Sequence, residues 1–277
     1  MEVCKKTLLE YLIETQNQSK NTLKTIIQMG CVSVDGEIVT KANFLIYPKQ
    51  LIQIKPKPIK FRNYEIPILY EDKELLAIEK PAGLLSVATA RETQLTAYHI
   101  VNDYIEQKTH KHVFILHRLD QETSGILLFA KTIEIKNKMQ KNWNDIVKIR
   151  GYYALVEGTN LQQQGTIHTW LQETKTQMVY SNQGRIGKEA ITHYHVLERR
   201  TNHTLLDVHI KTGRKNQIRV HMKEIGHPIL GDAKYGNKKT FPRLALHAYH
   251  LEFLHPVTKK TISIQTEIPA WLHKRES

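Results

Sequence analysis

Residues 113–132, VFILHRLDQETSGILLFAKT, constrain this chain more than any other stretch. Two apolar runs, 113–116 and 126–130, bracket a polar turn that ends in Ser124-Gly125. That pattern predicts two short strands joined by a loop. The first run passes into His117, Arg118 and Asp120 before it meets any turn former. Charges at the inner end of a buried strand are costly unless they have partners or a function. By residue type alone, an Arg118–Asp120 surface pair beside a hairpin is the commoner outcome.

At 277 residues the chain is long enough for one large domain or two ordinary ones, and 40% hydrophobic residues support a packed core. A net charge of +13 points to a polyanionic partner, with nucleic acid ahead of an acidic membrane surface. No run of 18 apolar residues occurs, and the opening MEVCKKTLLEYLIETQ has no signal-peptide core. The expectation is a soluble, cytoplasmic monomer. Cys4 and Cys31 make neither a disulfide framework nor a CxxC zinc pattern. The pairs His193/His195 and His247/His250 lack further ligands at metal spacing. They read as surface or RNA-facing residues, so no metal and no cofactor is expected.

The front of the chain reads as a small unit over residues 1–55. Leu8, Leu9, Leu12 and Ile13 share one helical face. Ser19 suits the N-cap of a second helix that turns Leu23, Ile26 and Ile27 inward, with Gly30 at its C′ position. CVSVDGEIV then alternates around Asp35-Gly36, a strong hairpin signal, and Leu51, Ile52 and Ile54 form a last strand. Lys55-Pro56-Lys57-Pro58-Ile59-Lys60 forbids regular helix, which makes 56–60 a linker and 61–277 a second domain. In that domain, residues 68–70 and 75–79 read as strands, and Lys80-Pro81-Ala82-Gly83 as a turn. A helix over 96–107 faces Ile100, Val101, Tyr104 and Ile105 inward. Thr132 caps another helix, with Ile135, Met139, Trp143 and Ile146 on one face. Strands follow at 149–158, 189–198 and 205–211. Adjacent strand residues point to opposite faces, so only one of Tyr152 and Tyr153 can enter a given pocket. Asn216 suits the N-cap of a helix striped by Ile218, Met222 and Ile225 and closed by Gly226.

The string HRLDQETSG closely resembles the HRLD-x-x-TSG signature of the RluA-type pseudouridine synthases. EKPAGLLSV, IRGYYALVEG and KTGRKNQIRVHMKEIGHPILGDAKYG resemble further motifs of that family in order, and RLALHAYHLEFLHPVTKK its closing strands. Arg150 stands where Lys is usual, and Asn216 where His is usual. Two helices followed by a VxVDG hairpin resemble the S4 RNA-binding domain, although Pro48-Lys49-Gln50 replaces the Gly-Asp common before its last strand. The resemblance implies an α+β fold: a pseudouridine synthase domain of mostly antiparallel sheet with flanking helices, behind a small α/β S4-like domain.

The resemblance also implies the chemistry, which is isomerisation of uridine in RNA, with large-subunit ribosomal RNA ahead of tRNA. Asp120 would be the catalytic carboxylate, as nucleophile or as the base for a sugar proton. Tyr152 would stack on the uracil, and Arg219 would ion-pair with Asp120 through its planar fork. Arg118 would hold the place of the flipped-out base, at an unstacking cost of a few kcal/mol. His117, Arg214, Lys20 and Lys24 would contact RNA. EKPAG would have a structural role, bordering the site without chemistry of its own. A non-catalytic RNA binder has no need of a carboxylate facing a polyanion. A glycosidase would usually place two carboxylates ~5–10 Å apart.

Overall fold

The computed structural model describes residues 6–16, 19–28, 32–54, 66–89, 95–182 and 184–273. The chain packs as two units, Met1–Glu65 and Ile66–Ser277. The expected linker, together with Cys4, Gly30 and Cys31, lies outside the described residues.

The first unit runs β1 (Lys6–Thr7), α1 (Leu8–Thr15), α2 (Lys20–Gln28), β2 (Val32–Val34), β3 (Glu37–Ile38), β4 (Leu45–Ile46) and β5 (Ile52–Ile54). Thr7 and Glu10 close a capping box on α1. Leu8, Leu9 and Leu12 meet Leu23, Ile27, Val32 and Val34 in one core. Ile13, expected on the same face, is exposed, because the stripe is only as wide as the two helices and sheet that cover it. Asp35 and Gly36 both take positive φ, 52° and 89°, as a type I′ turn requires. The Asp35 carboxylate then accepts from the Leu51 N–H and the Gln50 amide, both at 2.8 Å. Pro48-Lys49-Gln50 therefore has its own means of fastening the last strand. Lys20 and Lys24 are exposed on α2.

The second unit runs β6 (Ile68–Glu71), β7 (Leu75–Lys80), α3 (Ala97–Thr109), β8 (Phe114–Ile115), β9 (Ser124–Ala130), α4 (Ile133–Lys141), α5 (Trp143–Ile146), β10 (Val147–Glu157), β11 (Gln164–Glu173), β12 (Val179–Asn182), β13 (Lys188–Arg199), β14 (His203–Ile210), α6 (Gln217–Glu224), β15 (Leu246–Leu254), β16 (Thr261–Gln265) and α7 (Ala270–His273). Its sheet has the order β12-β11-β13-β14-β10-β15-β9-β7-β6, with β16 on β15 and β8 on β9. The fold is α+β and its sheet mostly antiparallel; only β9 and β15 pair in parallel. Among the described residues no helix is long and apolar enough to cross a membrane.

Three local expectations need correction. The helix read through Ile135, Met139, Trp143 and Ile146 is two helices, broken at Asn142, whose side-chain amide donates to the Lys138 carbonyl. All four residues still pack on one core cluster. Tyr104 lies on the flank of α3 and donates to Glu71, while Asn102 is buried and accepts from the Val113 N–H. His247 is not a surface residue. It is 1% exposed, between Ser124 and Thr266, and burial pushes its imidazole down to about 4.

Candidate active site

The parallel seam decides where the site lies. Tyr152 on β10 pairs with Ala248 on β15, and Ala248 pairs with Gly125 on β9. One row of backbone thus joins the strand that carries the tyrosine to the end of the turn that carries Asp120. At Gly125 φ is 112°, and a Cβ there would lie 2.1 Å from the Ala248 carbonyl oxygen. Only glycine allows the strands to meet so closely.

The turn is fastened from below by the segment after β7. The Gly83 N–H donates to the Gln121 carbonyl, and the Gln121 amide donates back to the Gly83 carbonyl, each at 2.9 Å. Ser86 Oγ accepts from the Leu119 N–H and donates to the Leu119 carbonyl. Lys80 is fully buried and its ammonium donates to the carbonyls of Pro81, Leu84 and Gln121 at 2.9, 2.7 and 3.0 Å. Burial pushes Lys80 down to about 7, and the charges of Glu122 and Asp120 oppose that. Three carbonyls match the three N–H groups of an ammonium, so the charged form is the one this cage is built to hold. The role of EKPAG is thus structural: its lysine and glycine hold the Asp120 turn in place.

Asp120, Tyr152 and Arg219 line one cavity of about 650 Å³, together with His117, Arg118 and Arg214. Lys20 and Lys24 belong to the other unit. Among the described residues that line the cavity, Asp120 is the only carboxylate. Tyr152 is 9% exposed, and its phenol is pushed up to about 12, by burial first and by Asp120 as well, with Arg150 opposing. It is therefore a neutral phenol near pH 7. His117 accepts from the Leu128 N–H on Nε2 at 3.2 Å and packs its ring against Trp143. Burial, with Arg150 adding to it, pushes His117 down to about 4. It is a neutral residue of the cavity wall. Arg118 is exposed and makes no hydrogen bond or ion pair with a described residue. Arg214 is exposed on the rim and donates from Nε to the Glu189 carbonyl at 2.8 Å.

The expected Arg219 fork on Asp120 is corrected by the geometry. Nε and Nη2 of Arg219 form the fork on Asp232, at 2.8 and 2.7 Å, and only Nη1 reaches Asp120, at 3.4 Å. Asp232 is fully buried, so it claims the bidentate partner that a desolvated carboxylate requires. Burial opposes charge on both groups, but their contact outweighs it: Arg219 is raised and Asp232 lowered from their ordinary values. Asp232, Lys80 and Ser86 are site residues that sequence reasoning misses. The first two stand inside the motifs GD and EKPAG, but nothing in a linear string says which buried partner each one meets.

Asp72, Glu74 and His255 put three possible metal ligands together, away from the cavity. His255 Nδ1 accepts from the N–H groups of Val257 and Thr258, so its proton sits on Nε2. Nε2 lies 2.9 Å from Asp72 Oδ2 without a hydrogen bond to it, and as the protonated nitrogen it has no lone pair to offer a metal. The trio is a tie between a turn and a strand end, and it does not fit a metal.

The fold is shared with solved pseudouridine synthases. A human RNA pseudouridylate synthase domain containing 4 structure superposes with a TM-score of 0.61 over 74% of this chain and 90% of that one, at 23% identity. Residues 74–224 match the family model described as RNA pseudouridylate synthase. A ribosomal large subunit pseudouridine synthase D from Zymomonas mobilis is 33% identical, over 91% of this chain and 86% of that protein. An uncharacterized RNA pseudouridine synthase, YlyB, from Bacillus subtilis is 34% identical, over 94% and 89%. The chain belongs to the RNA pseudouridylate synthase family, and it is an RNA-modifying isomerase.

Proposed function

We propose that this protein converts specific uridines of large-subunit ribosomal RNA to pseudouridine, as a cytoplasmic monomer, with Asp120 as its catalytic carboxylate. The observation that carries the roles is the one carboxylate among the described residues of the cavity wall, with an arginine on one side and a neutral phenol lining the same cavity. The reaction breaks the N1–C1′ bond, turns the uracil and joins C5 to C1′. Nothing is hydrolysed, so one carboxylate suffices and water must be kept out. The target nucleotide leaves its stack to enter the cavity, and Arg118, unpaired by described residues, takes up the vacancy. Tyr152 offers a flat ring to the uracil and, as a neutral phenol, an O–H for proton exchange at C5. Arg214, Lys20 and Lys24 add phosphate contacts, and the first unit acts as an S4-like RNA-binding domain. The ribosomal target is supported by the names of several relatives, including the one from Zymomonas mobilis.

Pseudouridine is to be mapped in total RNA from cells with and without the protein. Sites in large-subunit RNA should vanish with the protein, return with it, and stay absent when Asp120→Asn is supplied. Sites confined to tRNA would sink the ribosomal assignment. Sites restored by Asp120→Asn would sink the role of Asp120.

A further inference from the structure

Asn216 opens α6 but does not cap it. Its backbone takes a left-handed φ of 54°, and its side chain makes no bond to the free N–H groups of the helix. Both ends of that buried amide are engaged elsewhere. Oδ1 accepts from Arg219 Nη1 at 3.2 Å, and Nδ2 donates to the Tyr235 hydroxyl at 3.0 Å. The Tyr235 hydroxyl is itself held by the Val179 N–H at 3.1 Å, and the Tyr235 ring lies under the Arg219 guanidinium at 5.2 Å.

Nη1 is the one Arg219 nitrogen that faces Asp120. Asp232 fixes the other two, and so fixes the plane of the guanidinium. It does not fix how Nη1 divides its two N–H groups. Asn216 takes one of them with a neutral acceptor, which leaves the second N–H, and the positive charge, for Asp120. A side chain withdrawn from helix capping and held at both ends, by buried Tyr235 and by Arg219, has a more specific role than starting a helix.

We propose that Asn216 is a positioning residue: anchored by Tyr235, it aims the Arg219 nitrogen at Asp120 and so sets the rate of isomerisation without contributing to RNA affinity. The proposal rests on Asp120 being the catalytic carboxylate. Asn216→Gly tests it without backbone strain, since glycine accepts a positive φ and no cap is lost. Tyr235→Phe keeps the ring under Arg219 and removes the anchor, together with the acceptor of the Val179 N–H, whose cost the thermal melts read. Both variants, their combination and an Asp120→Asn control are compared for kcat, KM and RNA binding on a large-subunit ribosomal RNA transcript made in vitro, with folding checked by thermal melts. Asn216→Gly should lower kcat by roughly a hundredfold, as small misplacements of reacting groups do, with KM and binding within about twofold. Tyr235→Phe should lower kcat in the same direction, and the double variant should be no slower than Asn216→Gly, because both act through one contact. A folded Asn216→Gly variant with the parent's kcat overturns the proposal, and so does a loss confined to KM or a pair of fully additive losses. An Asp120→Asn control as fast as the parent overturns the functional reading itself, and the proposal with it.

Discussion

At the scale of single residues, Asp120 is the one carboxylate among the described residues of the cavity wall, and one Arg219 nitrogen faces it. Asp120→Asn keeps the size of the side chain and most of its hydrogen bonding but removes the charge. Isomerisation should fall below detection while RNA binding, read by filter retention, stays the same or tightens, since a negative charge near the phosphates has gone. The Arg219 geometry changes what its substitutions should do. Its strong bond is to Asp232, which is fully buried, so Asp232→Ala leaves a desolvated guanidinium without its partner, at ~3–5 kcal/mol. Thermal melts should show that loss together with loss of activity. Arg219→Lys keeps a charge but cannot span both Asp232 oxygens, and should behave much more like Arg219→Ala than a simple charge argument predicts. A lysine variant with parental stability would show that the fork on Asp232 is dispensable.

At the scale of elements, the β9–β15 seam does most to place the chemistry. Every other neighbour in this sheet is antiparallel, and the parallel step lets the Asp120 turn arrive beside β10. Gly125→Ala would drive a methyl group into the Ala248 carbonyl and leave alanine at a φ of 112°. We expect a loss of at least about 3 kcal/mol, roughly 6–12 °C in Tm, and activity lost beyond what the stability change explains. A variant that melts with the parent would mean that the strands can separate here without cost. The turns around the site show the same dependence on distant partners. Residues 80–86, within the EKPAGLLSV motif, supply the donors and acceptors that close on Leu119 and Gln121.

At the scale of the whole molecule, two properties can be tested. Three histidines, His117, His221 and His247, are held neutral by burial, each pushed down to about 4. Between that value and the unfolded pKa of about 6.5, the unfolded chain binds more protons than the folded one. Their contribution is therefore complete above pH 6.5 and is lost as the pH falls through 4, with Asp232, whose folded value is also depressed, lost at lower pH still. Tm should already decline between pH 6.5 and 4; a flat Tm across that window would mean these imidazoles are charged or exposed. The second property is modular. Removing residues 1–65 takes away Lys20 and Lys24 and none of the cavity. The remaining unit should fold and bind RNA more weakly, with a shallower dependence on salt, because fewer counterions are released. An unchanged salt slope would leave the first unit without a role in RNA binding.

Periodicity and turn chemistry in the sequence were enough to determine most elements of both units, down to the Asp35-Gly36 turn and the Thr132 cap, because these depend on neighbours a few residues away. The ordered motifs were also enough to name the family and to bring Asp120, Tyr152 and Arg219 forward together. What the string could not carry was the partner of each buried charge. Arg219 lies 99 residues from Asp120 and 13 from Asp232, and the choice of where its fork closes depends on which carboxylate the fold buries more completely. Lys80 meets Gln121 41 residues away, and Asn216 gives up its helix cap for Tyr235 and Arg219. Strands β11 and β12, which lack long apolar runs, were likewise settled only by pairing, β11 with β13 and β12 with β11. Desolvation is a property of the packed molecule: a polar group taken from water must find its bonds wherever the fold has placed them, and only the tertiary structure says where that is.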